Sequence, residues 1–307
     1  MTSPDPVTLE AHALTKRYRR TTAVDGLSFR VRPGVVTGFL GPNGAGKSTT
    51  LRLFLGLDRP TSGAATVGGL RLAEHPHAMR VVGAMLDARA VHPRRSATDH
   101  LLAVARAGGV PRRRVPEVLG LVGLADAAHR AAGELSLGMQ QRLGIATALV
   151  GDPGVVILDE PLNGLDPEGI RWARALMRDL AREGRTVLFS SHLMGEMELT
   201  ADHLVVVHRG RLLADQPLTA FVADRTTRRV RARSPERERL AAALTGAGVE
   251  TRVDPAAADA LDVTGATAVD VGRVAATAGV ALAELTDVRD SLEDVFLAMT
   301  AARKDAA

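Results

Sequence analysis

Apolar residues along the chain fall first into short runs and later into helical periods. Val7–Ala11, Leu27–Val31 and Val35–Leu40 read as β-strands, with Pro33-Gly34 breaking the last two apart. A glycine-rich stretch follows Leu40, and Leu51, Phe54 and Leu55 then recur at helical spacing. Ala65–Leu72 reads as a hairpin turning at Gly68-Gly69, and Val81–Leu86 as a further strand. From about residue 96 to 151 the pattern is helical and alanine-rich. Strand-like runs return at Val155–Leu158, Thr186–Phe189 and Leu204–His208. Between them, after Pro167, the residues Ile170, Ala173, Leu176, Met177 and Leu180 share one helix face. This alternation predicts an α/β domain with a largely parallel core sheet, over residues 1–221. The helical block, bounded at about 88–151, reads as an insertion into it.

Arginines 225, 228, 229, 231 and 233 cluster where the composition changes, and a linker is expected around 221–227. Beyond it the pattern predicts strand 228–233, helix 235–246, strands 249–253 and 260–264, helix 268–279 and strand 281–287. That βαββαβ order predicts a small α+β domain of ferredoxin-like type over 222–307. A last helix carries Leu292, Val295, Phe296 and Met299 on one side. Its amphipathic face motivates the expectation that this domain stabilises a dimer.

With 307 residues, two domains are the natural expectation. Hydrophobic residues make up 46% and charged residues 24%, which is ordinary for a globular chain and excludes wholesale disorder. Cysteine is absent, which removes disulfides, thiolate metal sites and thiol nucleophiles. The net charge of +4 is too small to imply nucleic-acid binding, and none is expected. No apolar run approaches the roughly 20 residues of a membrane-spanning helix, and no signal peptide is visible at the start.

The strongest chemical signal is Gly41-Pro42-Asn43-Gly44-Ala45-Gly46-Lys47-Ser48, followed by Thr49. It matches G-x-x-x-x-G-K-[ST] between a strand and a helix, the context the phosphate loop requires. Glycines let backbone N–H groups turn inward around phosphate oxygens, and the helix N-terminus adds free donors. Lys47 can neutralise the β- and γ-phosphates, and Ser48 can ligate Mg2+. In this arginine-biased chain, Lys47 is the only lysine between residues 17 and 303. Downstream, the apolar run Val155–Leu158 ends in Asp159-Glu160. Asp159 is placed to hold Mg2+ through water, and Glu160 to orient or deprotonate an attacking water.

Leu135-Ser136-Leu137-Gly138-Met139-Gln140-Gln141-Arg142 lies between those elements, and Asn163-Gly164-Leu165-Asp166 and Ser191-His192 follow them. In this order the motifs resemble those of the ATPase subunit of ABC transporters, over about residues 7–220. The resemblance implies a P-loop NTPase fold, ATP and Mg2+ as ligands, and a role for each matching residue. Tyr18 resembles the aromatic that stacks on adenine. Ser136 and Gly138 resemble the signature loop that meets the γ-phosphate of ATP bound to a second copy of the chain. Ser136 also suits an N-cap for the helix at Met139–Leu149, and both roles can hold together. Leu137 and Met139 depart from the commonest form of that loop, where glycine and glutamine stand. His192 resembles the switch histidine at the γ-phosphate. Asp166 resembles the acid that couples two sites, and equally suits a cap for the helix after Pro167.

Asp87 stands where the family usually has glutamine, a sensor of Mg2+ and of the membrane subunit, and an acid there can still bind water or Mg2+. Val82-Gly83-Ala84-Met85-Leu86-Asp87 resembles instead the bacitracin-type and daunorubicin-type exporter branch, as does Ser291–Leu297. The resemblance implies an ATP-driven homodimer at the cytoplasmic face of the membrane. It drives export of a drug-like, antibiotic or lipid-like compound through a separate transmembrane permease. Alternatives are an importer ATPase with a regulatory C-terminal domain, or a soluble ABC-type ATPase. His75 and His77 flank Pro76 and read as surface residues. The arginines at 112–114 and 225–233 read as solvated faces, with contact to anionic lipid or partner loops as the minority reading.

Overall fold

The computed structural model describes residues 7–223, 229–253 and 259–288, together with Leu292 and Phe296. The chain divides into two compact units, 1–219 and 220–307.

The first unit opens with β1 (Leu9–Tyr18), β2 (Thr21–Val31) and β3 (Val36–Leu40), then α1 (Lys47–Phe54) and β4 (Ser62–Val67). α2 (Ala78–Val81) leads into β5 (Val82–Met85). The helical block follows as α3 (Ala97–Ala107), α4 (Arg114–Leu121) and α5 (Leu137–Leu149). β6 (Val155–Leu158), α6 (Pro167–Arg182), β7 (Thr186–Ser191), α7 (Met194–Thr200), β8 (His203–His208) and β9 (Arg211–Pro217) complete it, and α8 (Leu218–Ala223) crosses into the second unit.

Six strands form the core sheet in the order β5-β6-β7-β3-β8-β9. All pairs are parallel except β8–β9. The middle strands are buried along their whole length, which is why they read as unbroken apolar runs rather than alternating ones. A second, antiparallel sheet, β2-β1-β4, lies in the same unit. Its apolar face joins α1 in one core around Phe29, whose ring stacks on Phe39 at 5.5 Å and meets Phe54 edge-on at 5.9 Å.

The first strands run on past the apolar segments into polar residues, because β1 pairs with β2 through bulges as far as Tyr18↔Thr21. The hairpin expected over Ala65–Leu72 is only one antiparallel bridge long, Val67↔Leu70. β4 pairs with β1, and the chain then makes one tight turn at left-handed Gly68 and Gly69. Val67 N–H donates to Leu70 O at 2.7 Å, and a short 3-10 turn follows at Leu72–Glu74.

The second unit contains β10 (Arg229–Arg233), α9 (Arg237–Gly246), β11 (Glu250–Val253), β12 (Ala260–Thr264), α10 (Ala268–Thr277) and β13 (Glu284–Val288). The sheet order is β11-β12-β10-β13, antiparallel throughout, so the two βαβ halves interleave. Val230, Ala232, Leu261 and Val263 turn to one face, against Leu240 and Leu244 of α9 and Val271 and Ala275 of α10. Charged residues occupy alternate positions. Arg233 pairs with Asp259 at 2.7 Å, and Arg229 and Arg231 approach Asp262 at 3.6 and 3.8 Å. These three arginines therefore belong to an ion-paired sheet. Leu292 and Phe296 are helical and buried. The rest of the expected last helix, and Arg225 and Arg228, lie outside the described residues.

Candidate functional site

β3, β6 and β7 end side by side, so whatever follows each strand meets at the carboxyl edge of the sheet. In open α/β sheets that edge is where ligands bind. β3 delivers the glycine-rich loop, β6 delivers Asp159-Glu160, and β7 delivers Ser190, Ser191 and His192.

The loop is shaped by steric demands that only glycine meets. Gly46 has φ 101° and caps α1, and a Cβ there would strike the Ala23 carbonyl oxygen. A Cβ on Gly41 would strike the Val207 carbonyl oxygen. Lys47, the first residue of α1, is 7% exposed. Its ammonium donates to the Gly41 carbonyl at 2.5 Å and more weakly to Pro42 O at 3.4 Å. Burial lowers its pKa, against the pull of Glu160 and Asp159. A cation held this way, beside the open N-terminus of a helix, is suited to an anion.

Asp159 and Glu160 follow directly on β6. Asp159 N–H donates to Met85 O at 2.7 Å, extending the β5–β6 pairing, and its Oδ1 accepts from the Ser190 hydroxyl. Glu160 adopts the left-handed φ of 51°, which costs a non-glycine residue about 1–3 kcal/mol. Its N–H donates to Ser190 Oγ at 2.9 Å, and its carbonyl accepts from Gln141 Nε2 at 3.0 Å. His192 Nδ1 stands 3.0 Å from both Glu160 carboxylate oxygens. A carboxylate beside an imidazole on an accessible sheet edge can take a proton from water.

A cavity of about 420 Å³ gathers Tyr18, Ala23, Pro42, Asn43, Gly44, Gly46, Lys47, Ser48, Thr49, Leu86, Asp159 and Glu160. A phosphate loop, two carboxylates and an aromatic ring thus share one wall. Tyr18 is 42% exposed. Its hydroxyl donates to Asp58 at 2.8 Å, Arg52 Nε reaches the same oxygen at 2.7 Å, and Lys16 lies 4.8 Å from the ring centre. Desolvation and the Asp58 carboxylate raise the Tyr18 pKa, so the phenol stays protonated.

Ser48 and Asp159, a hydroxyl and a carboxylate on that wall, suit a hard cation such as Mg2+. The described residues contain no cluster of three or more His, Cys, Asp or Glu that could hold a metal, so phosphate and water would complete the shell. Asp87 does not line the cavity, whereas its neighbour Leu86 does. The Asp87 Oδ1 accepts instead from Arg89 N–H at 2.8 Å, and the residue is exposed.

Ser136 and Gly138 stand at the start of α5, outside the cavity. Ser136 caps α5 by accepting from Met139 N–H at 3.3 Å, and Asp166 caps α6 by accepting from Gly169 N–H at 2.8 Å. Leu137 packs on Gly164, where a Cβ would collide with it. Ser190, Gln141 and Asp58 enter the site through contacts that the sequence pattern does not show. Gln141 lies within Leu135–Arg142 and Ser190 directly precedes Ser191-His192, yet nothing in their spacing says they grip the Glu160 peptide.

Comparison with known proteins agrees with this geometry. A family model described as ABC transporter matches residues 24–163, and one described as a domain of unknown function matches 228–293. The chain is 44% identical over 208 residues to the uncharacterized ABC transporter ATP-binding protein YhcH of Bacillus subtilis (strain 168), covering 67% of this chain and 68% of that protein. It is 42% identical over 207 residues to the bacitracin transport ATP-binding protein BcrA of Bacillus licheniformis, covering 66% and 68%. A solved ATP-binding subunit of an ABC transporter superposes with TM-score 0.64 at 29% identity, over 70% of this chain and 92% of that one. The chain therefore belongs to the family of ABC transporter ATP-binding subunits, which bind and hydrolyse ATP. Among the described residues no helix is long and apolar enough to cross a membrane.

Proposed function

We propose that this chain drives export of a drug-like, antibiotic or lipid-like compound through a separate transmembrane permease, bound at the cytoplasmic face of the membrane. The similarity to a bacitracin transport ATP-binding protein supports the direction and the substrate class. Two copies enclose two ATP molecules. Each site pairs the phosphate loop of one chain with Ser136 and Gly138 of the other, and the exposed, capped start of α5 supports that role.

Within one chain, Tyr18 stacks on the adenine. The backbone from Gly41 to Thr49 cradles the phosphates, and Lys47 neutralises them. Mg2+, held by Ser48 and Asp159, would offset phosphate charge as the γ-phosphoryl group leaves. Glu160 takes the proton from the attacking water, and His192 holds the Glu160 carboxylate in place and touches the γ-phosphate.

The observation that carries the reading is the His192–Glu160 contact at the rim of the cavity that holds Lys47, Ser48 and Asp159. Glu160→Gln is expected to bind ATP with near-normal affinity while turnover falls by about a hundredfold or more. Near-normal hydrolysis by that variant would remove Glu160 from the role of base.

A further inference from the structure

The Glu160 peptide is held from three sides in a conformation that glutamate does not adopt unaided. We propose that Ser190 is a positioning residue for hydrolysis: its hydroxyl joins the Asp159 carboxylate to the Glu160 backbone and so sets where the Glu160 carboxylate stands. The proposal rests on the reading of Glu160 as the base.

Ser190 is on β7 and is fully buried, at 0% exposure. The register places it beside the end of β6, one step beyond the Leu158↔Phe189 pair. Its single proton goes to Asp159 Oδ1, and a lone pair accepts the Glu160 N–H at 2.9 Å. One hydroxyl thus satisfies a carboxylate on the metal side of the site and a peptide on the base side. The next residue, Ser191, does neither: its Oγ accepts from Leu193 N–H at 2.9 Å. The period of two along a strand separates the two serines onto opposite faces.

A glutamate at φ 51° persists only where its surroundings over-determine it. Ser190 holds its N–H. Gln141, 5% exposed, holds its carbonyl at 3.0 Å, with Asn163 N–H at 3.3 Å on the same oxygen. His192 holds its carboxylate. Removing the Ser190 hydroxyl takes the partner from a part-buried N–H, and the peptide gains by turning toward an ordinary φ. That turn carries the carboxylate away from His192 and from the attack line, where small displacements are costly. The phosphate loop hangs on β3 and α1, and neither bond of the Ser190 hydroxyl reaches it, so the loop keeps its hold on the phosphates when the Glu160 N–H is released.

The test uses the full chain with Ser190→Ala, measuring steady-state hydrolysis, ATP affinity by calorimetry and melting temperature. The expected result is a fall in kcat of about tenfold with ATP affinity within twofold of the parent, the pattern of an interaction that matters in the transition state. Unchanged kcat overturns the proposal. So does a loss of affinity that matches the loss of kcat, which marks general loosening. If the alanine variant fails to fold, Ser190→Cys keeps the volume and a weak S–H donor, and the same split is expected with a drop of about threefold. An inactive Glu160→Gln beside a fully active Ser190→Ala rejects only the positioning role. An active Glu160→Gln rejects the base reading itself.

Discussion

An ammonium buried to 7% exposure costs free energy unless negative charge faces it, and Lys47 meets only carbonyl dipoles directly. Its lowered pKa is the signature of that cost. For a lysine lowered on folding, the unfolded chain binds the proton more tightly, so the protonated group weakens the fold. Lys47→Met is therefore expected to melt no lower than the parent without nucleotide, and to lose most of the rise in melting temperature that ATP gives the parent. A rise of parental size in the variant would contradict the role given to Lys47. At the base end of the site, Tyr18→Ala is expected to raise the KM for ATP about tenfold, a loss of about 1.4 kcal/mol, with kcat nearly unchanged. A fall in kcat at constant KM would place Tyr18 elsewhere in the cycle. Lys47, Asp159 and Glu160 were legible in the sequence because their chemistry is tied to a fixed local frame of strand, loop and helix. Ser190 and Gln141 were not, because their partners are 30 and 19 positions away and only strand register and helix packing bring them together.

Between elements, the decisive fact is the side-by-side ending of β3, β6 and β7. Unbroken apolar runs announced buried parallel strands, and the site followed from where those runs stop. What the runs could not announce is polar strand. β1 continues through Lys16, Arg17 and Tyr18 because pairing with β2, not burial, holds it there. The ring of Tyr18 owes its place to that extension. Asp166 shows capping directly. Asp166→Ala is expected to cost about 1 kcal/mol of stability, while Asp166→Asn, which still accepts the Gly169 N–H, costs a few tenths. Equal melting temperatures for both variants would deny the cap. Between α3 and α5, His100 is buried, with Nε2 3.0 Å from Thr147 Oγ1 and a pKa lowered by desolvation. The folded pKa lies below the unfolded value, so stability is retained above the unfolded pKa near 6.5 and falls as the pH drops below it. Urea titrations at pH 7.5 and 5.5 should show this loss, and His100→Gln should shrink it. A loss of the same size in that variant would acquit His100.

Over the whole molecule, one unit carries every motif of the ATP site and the other carries none. The second unit's family match is to a domain of unknown function, and its sheet binds its own arginines in ion pairs. Its βαββαβ order was legible because six short elements with clear turns leave little choice of connection. Its purpose was not, since none of the phosphate-loop, carboxylate or histidine motifs falls within it. The account of the first unit makes a stronger demand. Closing two ATP sites performs no transport unless something that spans the membrane is attached, and among the described residues of this chain no helix does so. The most direct measurement is capture of the tagged full-length protein from detergent-solubilised native membranes, followed by sequencing of what comes with it. The account predicts a multi-span polypeptide in stoichiometric amount, whose release or retention responds to ATP. Recovery of only ribosomes, nucleic acid or soluble protein would leave the ATP chemistry intact and contradict transport as its purpose.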